Sequence, residues 1–256
     1  MAIFVYREET DDLDAVQKGQ ERMLEKHPGT LIVHRAELGR ILGSKAETNR
    51  YLFNHGLPVP RMIETAVSSE TVFSNHAHSA QQSVYLVAPG QALDASRHNT
   101  VLIGTTHRFN GTDYYVYIRA YAVGELRVAT YVGCRPTAAG DPSVHLSDAN
   151  DSEAINYFNC KFLIPFQEQV QNLCARMGAL FGLGFYVHDL LPCRKTGQLF
   201  VTESGFKLGP GPAVKQKYWN MRAAIPPFSG FFSAEYILRA CYAFVYGAQR
   251  RGFLNP

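Results

Sequence analysis

The 256-residue chain carries 25 basic against 22 acidic residues, and a net charge of +3 is too mild to require nucleic acid or an anionic membrane as a partner. Its 46% hydrophobic and 18% charged content excludes wholesale disorder, and its length allows one large domain or two small lobes around a cleft. The most apolar windows, 177–191 and 237–248, are too short and too interrupted to span a bilayer, so the expected protein is soluble and cytoplasmic.

The first residues, a short apolar stretch followed at once by Arg7, Glu8 and Glu9, do not read as a signal peptide. Ala2 to Tyr6 suits a short strand. Asp12 to Lys26 reads as a helix with an Asp-rich start and Pro28-Gly29 as its stop. Leu31 to His34 is a second short strand. Ser44 to His55 is a helix that Ser44 caps, with Glu47 three residues on as in a capping box and Gly56 at its end. Leu57 to Pro60 must then be extended, because each proline drives its predecessor out of the helical region. Val84 to Ala88 and Val101 to Thr105 are expected strands. Tyr114 to Ala122 and Glu125 to Val132 follow as an antiparallel hairpin around Val123-Gly124, with Tyr115, Tyr117, Arg119 and Tyr121 on one face. A loop is expected over 138–151. Apolar spacing predicts a helix over Phe166 to Phe181, ended by Gly182. Phe185 to Leu191 and Leu199 to Glu203 form a second hairpin, and Ser233 to Gln249 a last amphipathic helix. Hairpins mixed with separate helices, without strict strand–helix alternation, indicate an α+β fold.

Five cysteines, none at C-x-x-C spacing, are expected to be reduced and mostly buried thiols. Positive charge gathers in the last quarter, from Lys207 through Lys215, Lys217, Arg222 and Arg239 to Arg250 and Arg251; this is either a solvated surface or part of a site for an anionic ligand. His76-Ala-His78 lacks a carboxylate or cysteine at metal-binding spacing. The prolines of Gly209-Pro-Gly-Pro212 remove the amides that a phosphate cradle needs. No nucleophile sits in a G-x-S-x-G elbow. What remains is a pair of acids, Asp189 and Glu203, at or near the ends of adjoining strands. Two carboxylates held side by side repel unless a cation lies between them. Magnesium favours one or two carboxylates together with phosphate oxygens. The alternative is that Asp189 pairs with a lysine and Glu203 is a solvated strand-end acid. His188, on the opposite strand face, reads as a core or surface histidine.

Gly182-Leu-Gly-Phe-Tyr-Val-His-Asp189, followed by Thr196-Gly-Gln-Leu-Phe-Val-Thr-Glu203, resembles the C-terminal signature of the ATP-grasp superfamily, which includes glutathione synthetase and D-alanine–D-alanine ligase. Upstream, Ser44-Lys45 and the helix leading to Gly56-Leu-Pro58-Val-Pro60 look like that family's entry into its nucleotide-binding lobe. Tyr114 to Gly124 resembles the strand on which the family carries an arginine. The three segments stand in the family's order over roughly residues 40 to 207. The resemblance implies two α+β lobes with a nucleotide cleft between them: a short leading segment over 1–43, a nucleotide-binding lobe over 44–105 and a C-terminal lobe over 106–256. It implies ATP and magnesium as cofactors and a small-molecule or peptide carboxylate as substrate, activated as an acyl phosphate for attack by an amine or other nucleophile. A catalytically degenerate module that binds a nucleotide or a partner is the alternative.

Carried onto this chain, the resemblance puts Lys45 on nucleotide phosphates and Leu102 and Ile103 beside the nucleotide. Arg119 would hold the acceptor carboxylate or the developing acyl phosphate. Asp189 and Glu203 would hold magnesium. The chain departs from the family in three places. Gly205 replaces the Asn two places after the Glu, a role left to Ser204 or water. Ser44 replaces the Asp before the first lysine. No lysine occurs between Lys45 and Lys161, so the strand at Thr71 to Asn75 lacks the second phosphate-binding lysine. Losing that charge-assisted bond costs about 1.5–3 kcal/mol. Arg127, Arg135 and Lys207 are the candidates for compensating charge.

Overall fold

A computed structural model of the chain describes residues 2–4, 6–7, 11–76, 84–139, 152–207 and 235–253. The expected loop over 138–151 lies almost wholly outside the described residues, as do Glu8, Glu9, His78, Gly209 to Pro212, Lys215, Lys217, Arg222 and Ser233.

Strand β1 (Ala2–Ile3) pairs in parallel with β2 (Ile32–Val33). Between them runs helix α1 (Leu13–Lys26), whose cap Asp12 accepts the Asp14 and Ala15 N–H groups at 3.0 and 3.1 Å. Helix α2 (Ala36–Leu42) was not foreseen, and its start shows why. Its cap residue Arg35 makes no side-chain cap bond. Instead Gln20, on α1, accepts the Ala36 N–H at 3.0 Å and donates to the His34 carbonyl at 2.6 Å. A cap supplied from another helix satisfies the orphan amide but leaves no local signal. Helix α3 (Lys45–Asn54) starts as expected, with Ser44 Oγ accepting the Glu47 N–H at 3.4 Å, and Gly56 leaves it at φ +70°.

Two antiparallel sheets follow. The smaller has the order β4-β3-β5, from β3 (Val72–Asn75), β4 (Tyr85–Val87) and β5 (His98–Val101). The strand expected at Val101 to Thr105 is therefore displaced: β5 ends at Val101, and 102–105 is the crossing between the sheets. Its backbone is shared by both sides, since the Leu102 N–H donates to Thr71 O and Gly104 O accepts the Arg194 N–H.

The larger sheet contains β6 (Thr106–Phe109), β7 (Thr112–Val123), β8 (Leu126–Pro136), β9 (Phe185–Pro192) and β10 (Leu199–Phe206). Twelve-residue β7 is its spine, with β8 along one edge. On the other edge β6 takes the first part of β7 and β9 the last part, with β10 beyond β9. The β6–β7 turn is Asn110-Gly111, both at positive φ (45° and 80°), the geometry of a two-residue hairpin.

Helices α4 (Ser152–Leu163), α5 (Gln167–Phe181) and α6 (Glu235–Arg250) cover one face of this sheet. Val116, Ile118 and Ala120 of β7 are fully buried beneath them. Gly178 lets α5 cross the β7–β8 turn, since a side chain there would collide with the Gly124 carbonyl. Helices α2 and α3 pack along β10, and the Pro58 carbonyl accepts the Val201 N–H at 2.8 Å. The core follows the large sheet and includes Leu52, Leu57 and Val59, whereas Ile63, Val72 and Val87 form a separate small cluster under β3 to β5. No helix among the described residues is long and apolar enough to cross a membrane. All five cysteines are free thiols, three of them buried.

Candidate functional site

The face of the large sheet opposite its helices is the floor of a cavity of about 290 Å³, and the small sheet is its roof. Register places the chemistry. Glu203 on β10 is the direct partner of Asp189 on β9, which is the partner of Arg119 on β7, which is the partner of Tyr131 on β8. Directly opposed residues on antiparallel strands share a face, so one row crosses the sheet with acid, acid, arginine and tyrosine side by side. Glu203 joins that row only because of a β-bulge. The β9–β10 register shifts between Val201 and Glu203, leaving Thr202 as the extra residue. With a continuous ladder from Leu199 and Val201, Glu203 would lie opposite His188 and face the buried core. Thr202 is itself anchored, its Oγ1 donating to the Asp189 carbonyl at 3.1 Å.

Arg119 and Asp189 form a bidentate pair: Nε donates to Oδ1 and Nη2 to Oδ2, both at 2.6 Å. Their side chains are only 21% and 18% exposed, so the pair lies largely out of water. Burial alone would lower the Arg119 pKa, but Asp189 and the Tyr117 hydroxyl beside it hold it well above its ordinary value. The Arg119 guanidinium also lies 5.6 Å from the centre of the Tyr117 ring. Lys45, at the first turn of α3, is buried and reaches Glu203 at 3.9 Å. One turn on, buried Asn49 shares its helix face and donates to the Pro60 carbonyl at 2.9 Å.

The roof is different in kind. Asn75 and His98 are direct partners on β3 and β5, as are Phe73 and Thr100, and all four line the cavity. Asn75 Oδ1 and His98 Nδ1 are buried and have no protein hydrogen-bond partner. Burial, with Lys45 and Arg50 nearby, lowers the His98 pKa to about 4, so its ring is neutral at pH 7. Phe73, Leu86, Val101, Leu102, Ile103 and Leu191 supply an apolar wall.

The cavity thus brings together six of the nine candidate residues singled out in the sequence: Lys45, Leu102, Ile103, Arg119, Asp189 and Glu203. Arg127 and Lys207 are not among its lining. A second bulge, between Tyr121 and Ala122 of β7, pairs Arg127 with Ala122 and turns it toward α5. There its Nη1 donates to Thr130 Oγ1 at 3.0 Å. Lys207 is exposed just past β10, four residues beyond Glu203 and so about 13 Å along the strand, with its N–H on the Phe185 carbonyl. Arg135 does not line the cavity either. Of the late basic residues, Arg250 and Arg251 pair with Glu125 instead.

His188 is a core histidine, as its strand face implied: it is fully buried, bonded to Ser204 Oγ at 2.9 Å, and its pKa is lowered to about 3, chiefly by burial. That bond also removes Ser204 as a substitute ligand, because Ser204 faces the core and not the cavity. His98 and Asn75 were missed. Alternation along Thr71 to Asn75 could have placed Asn75 beside Phe73, but nothing local marks His98 as the start of a strand.

As arranged, the donors do not make a magnesium site. Both Asp189 oxygens accept from Arg119, Glu203 leans on Lys45, Gly205 offers no side chain, and no cluster of three or more His, Cys, Asp or Glu suited to a metal occurs among the described residues.

No protein-family model and no curated protein sequence matches the chain. Solved structures do. N5-carboxyaminoimidazole ribonucleotide synthetase from Thermotoga maritima superposes with a TM-score of 0.52 at 12% identity, covering 88% of this chain and 58% of that one. N5-carboxyaminoimidazole synthetase from Staphylococcus aureus, complexed with ADP, gives 0.51 at 10% identity, covering 82% and 54%. The chain spans a little over half the length of these enzymes. The likeness is one of fold, and the fold is ATP-grasp-like α+β.

Proposed function

We propose that the cavity binds ATP and that the chain is an ATP-dependent ligase of the carboxylate-activating kind. The observation that carries this reading is the row Glu203–Asp189–Arg119 beneath Lys45, facing the apolar wall of Phe73, Leu86, Val101, Leu102, Ile103 and Leu191 in a fold of this type. The implied reaction transfers the γ-phosphoryl group of ATP to a carboxylate oxygen, giving an acyl phosphate and ADP. An amine or other nucleophile then attacks the carbonyl carbon and expels phosphate. In such a transfer the protein mainly positions groups and offsets developing charge.

The chain's own residues fit parts of that task. Asp189 takes two of the five N–H groups of Arg119 and fixes the plane of the guanidinium, and beyond the Tyr121 hydroxyl, which also bonds it, two donors remain. Those donors suit a carboxylate or an acyl phosphate. Lys45, held at a helix start by the Ser44 cap, suits a phosphate oxygen. No step is assigned to magnesium, because the acids as placed do not fit it.

A second reading, a nucleotide-binding module without ligase chemistry, is favoured by one observation: both carboxylate oxygens of Asp189 already accept from Arg119. Titration calorimetry with ADP and ATP separates the outcomes. Wild-type protein should bind both, and Lys45→Met should bind about tenfold more weakly or worse. No heat with either nucleotide overturns the proposal. ADP release from ATP in the presence of pooled amino acids or peptides would support the ligase, and binding without release the second reading.

A further inference from the structure

The floor and roof of the cavity differ in charge balance. Among the described residues of the floor, Lys45 is offset by Glu203 and Arg119 by Asp189, so these four side chains carry no net charge together. A nucleotide brings several negative charges into the cavity. Among the described residues lining the cavity, His98 is the one titratable group that can add a positive charge. Tyr115 and Tyr117 cannot, and the two cations are already charged. His98 is 7% exposed, borders the cavity, and its Nδ1 has no protein partner, beside the equally unpartnered Oδ1 of Asn75.

We infer that the Asn75–His98 pair is a phosphate-receiving subsite of the small sheet, and that His98 takes a proton from solvent as an anionic phosphate enters beside Lys45. The inference rests on the nucleotide reading above and names the source of charge that the floor does not supply. Every charged group near the ring bears on it. From α3, Lys45 and Arg50 oppose a charged ring; Arg50 is itself paired with Glu47 at 2.5 Å and with Glu64 at 3.7 Å. From β10, the Glu203 carboxylate lies 3.9 Å from the Lys45 ammonium and offsets part of that cation's field at the ring. From β3, Asn75 is neutral and can accept a ring N–H. Burial and the two cations keep the ring neutral at pH 7. A phosphate between Lys45 and His98 reverses the local field and favours the charged ring.

The proton is the readout. ADP is titrated calorimetrically into wild-type protein in two buffers of different ionisation enthalpy, above the pH range in which the terminal phosphate itself titrates. The expected result is an uptake approaching about one proton per ADP, with affinity rising by up to about tenfold per pH unit as pH falls from about 8.5 to about 7. In His98→Gln the uptake should vanish and binding at about pH 7 should weaken by about tenfold or more. Asn75→Asp is the second variant: a carboxylate beside the ring charges it beforehand, so uptake should fall there too while the ring remains. ADP binding with no proton uptake in wild type overturns the inference and leaves the nucleotide reading intact. Uptake that persists in His98→Gln also overturns it, because an acid of the floor is then the site of protonation. No ADP binding at all removes the nucleotide reading and the subsite with it.

Discussion

The two walls of the cavity solve opposite problems. On the large-sheet side the charged groups that line the cavity already meet one another: Asp189 takes two 2.6 Å bonds from Arg119, and Glu203 lies 3.9 Å from Lys45. On the small sheet Asn75 Oδ1 and His98 Nδ1 face the same space without a protein partner, and behind them Asn99 Oδ1 is unsatisfied too. A buried polar atom left unpaired costs free energy until water or a ligand meets it. The floor is therefore organised before anything binds, whereas the roof is completed by what binds. Preorganised charge below and responsive polarity above is a division suited to a site that grips an anion.

The largest effect expected from breaking the floor is on stability. Arg119→Ala leaves the Asp189 carboxylate, 18% exposed, without its bidentate partner, and should cost about 3–5 kcal/mol in urea unfolding. Replacing both partners, Arg119→Met with Asp189→Leu, should recover most of that, because no charge is then left alone. A loss below about 1 kcal/mol for the single variant would mean that water already screens the pair and that the floor is no more preorganised than the roof.

Acid should act on histidines buried neutral on both sides of the comparison. His188 beneath the floor has its pKa lowered to about 3, and His98 in the roof to about 4, from an ordinary 6.5, in each case first by burial. The unfolded chain therefore binds these protons first. Their contribution is fully present above pH 6.5 and is lost as pH falls toward the folded values. Between pH 7 and pH 5 each should remove about 2 kcal/mol, read from the urea midpoint. His188→Gln should flatten that slope by about the same amount. An unchanged slope would show that His188 does not contribute to it.

A smaller effect sharpens the contrast at Glu203. If the acid only restrains Lys45, Glu203→Gln frees the lysine for phosphate and should tighten ADP binding by about threefold, with or without magnesium. Weakening confined to magnesium-containing buffer would show that a cation bridges Glu203 and the nucleotide, and would restore the two acids as its ligands.

The floor was far more legible in the sequence than the roof. Two hairpins, the Ser44 cap and two acids on adjoining strands are local patterns, and each appears where the residues put it. Whether the acids would share a face was not local, because it turns on the extra residue Thr202. The Arg119–Asp189 pair joins strands 70 positions apart, a register that no short-range signal fixes. The roof depended on placing β5, whose His98-Asn99-Thr100 start carries two polar residues that read as loop. Helix α2 hid its cap on α1. The Asn110-Gly111 turn before β7 was a readable hairpin signal that the expected strands passed over.

Arg127 gives the smallest expected effect and the sharpest control on the division between the faces of the sheet. Plain alternation along β8 would place it with Ala129 and Tyr131, on Arg119's side, where a second cation for phosphate would be valuable. The bulge opposite Ala122 turns it to the helix side instead, against Thr130, Gln171 and the neighbourhood of Cys174. There burial lowers its pKa, and its Nε is unsatisfied. Arg127→Met should consequently leave ADP affinity within about twofold, since the charge lies across the sheet from the ligand. Its stability change should stay within about 1 kcal/mol, because the lost Thr130 bond is offset by removing an unsatisfied donor. A tenfold loss of ADP affinity would mean that the β8 register differs from the one described, and that the cavity draws charge from a strand here assigned to the core.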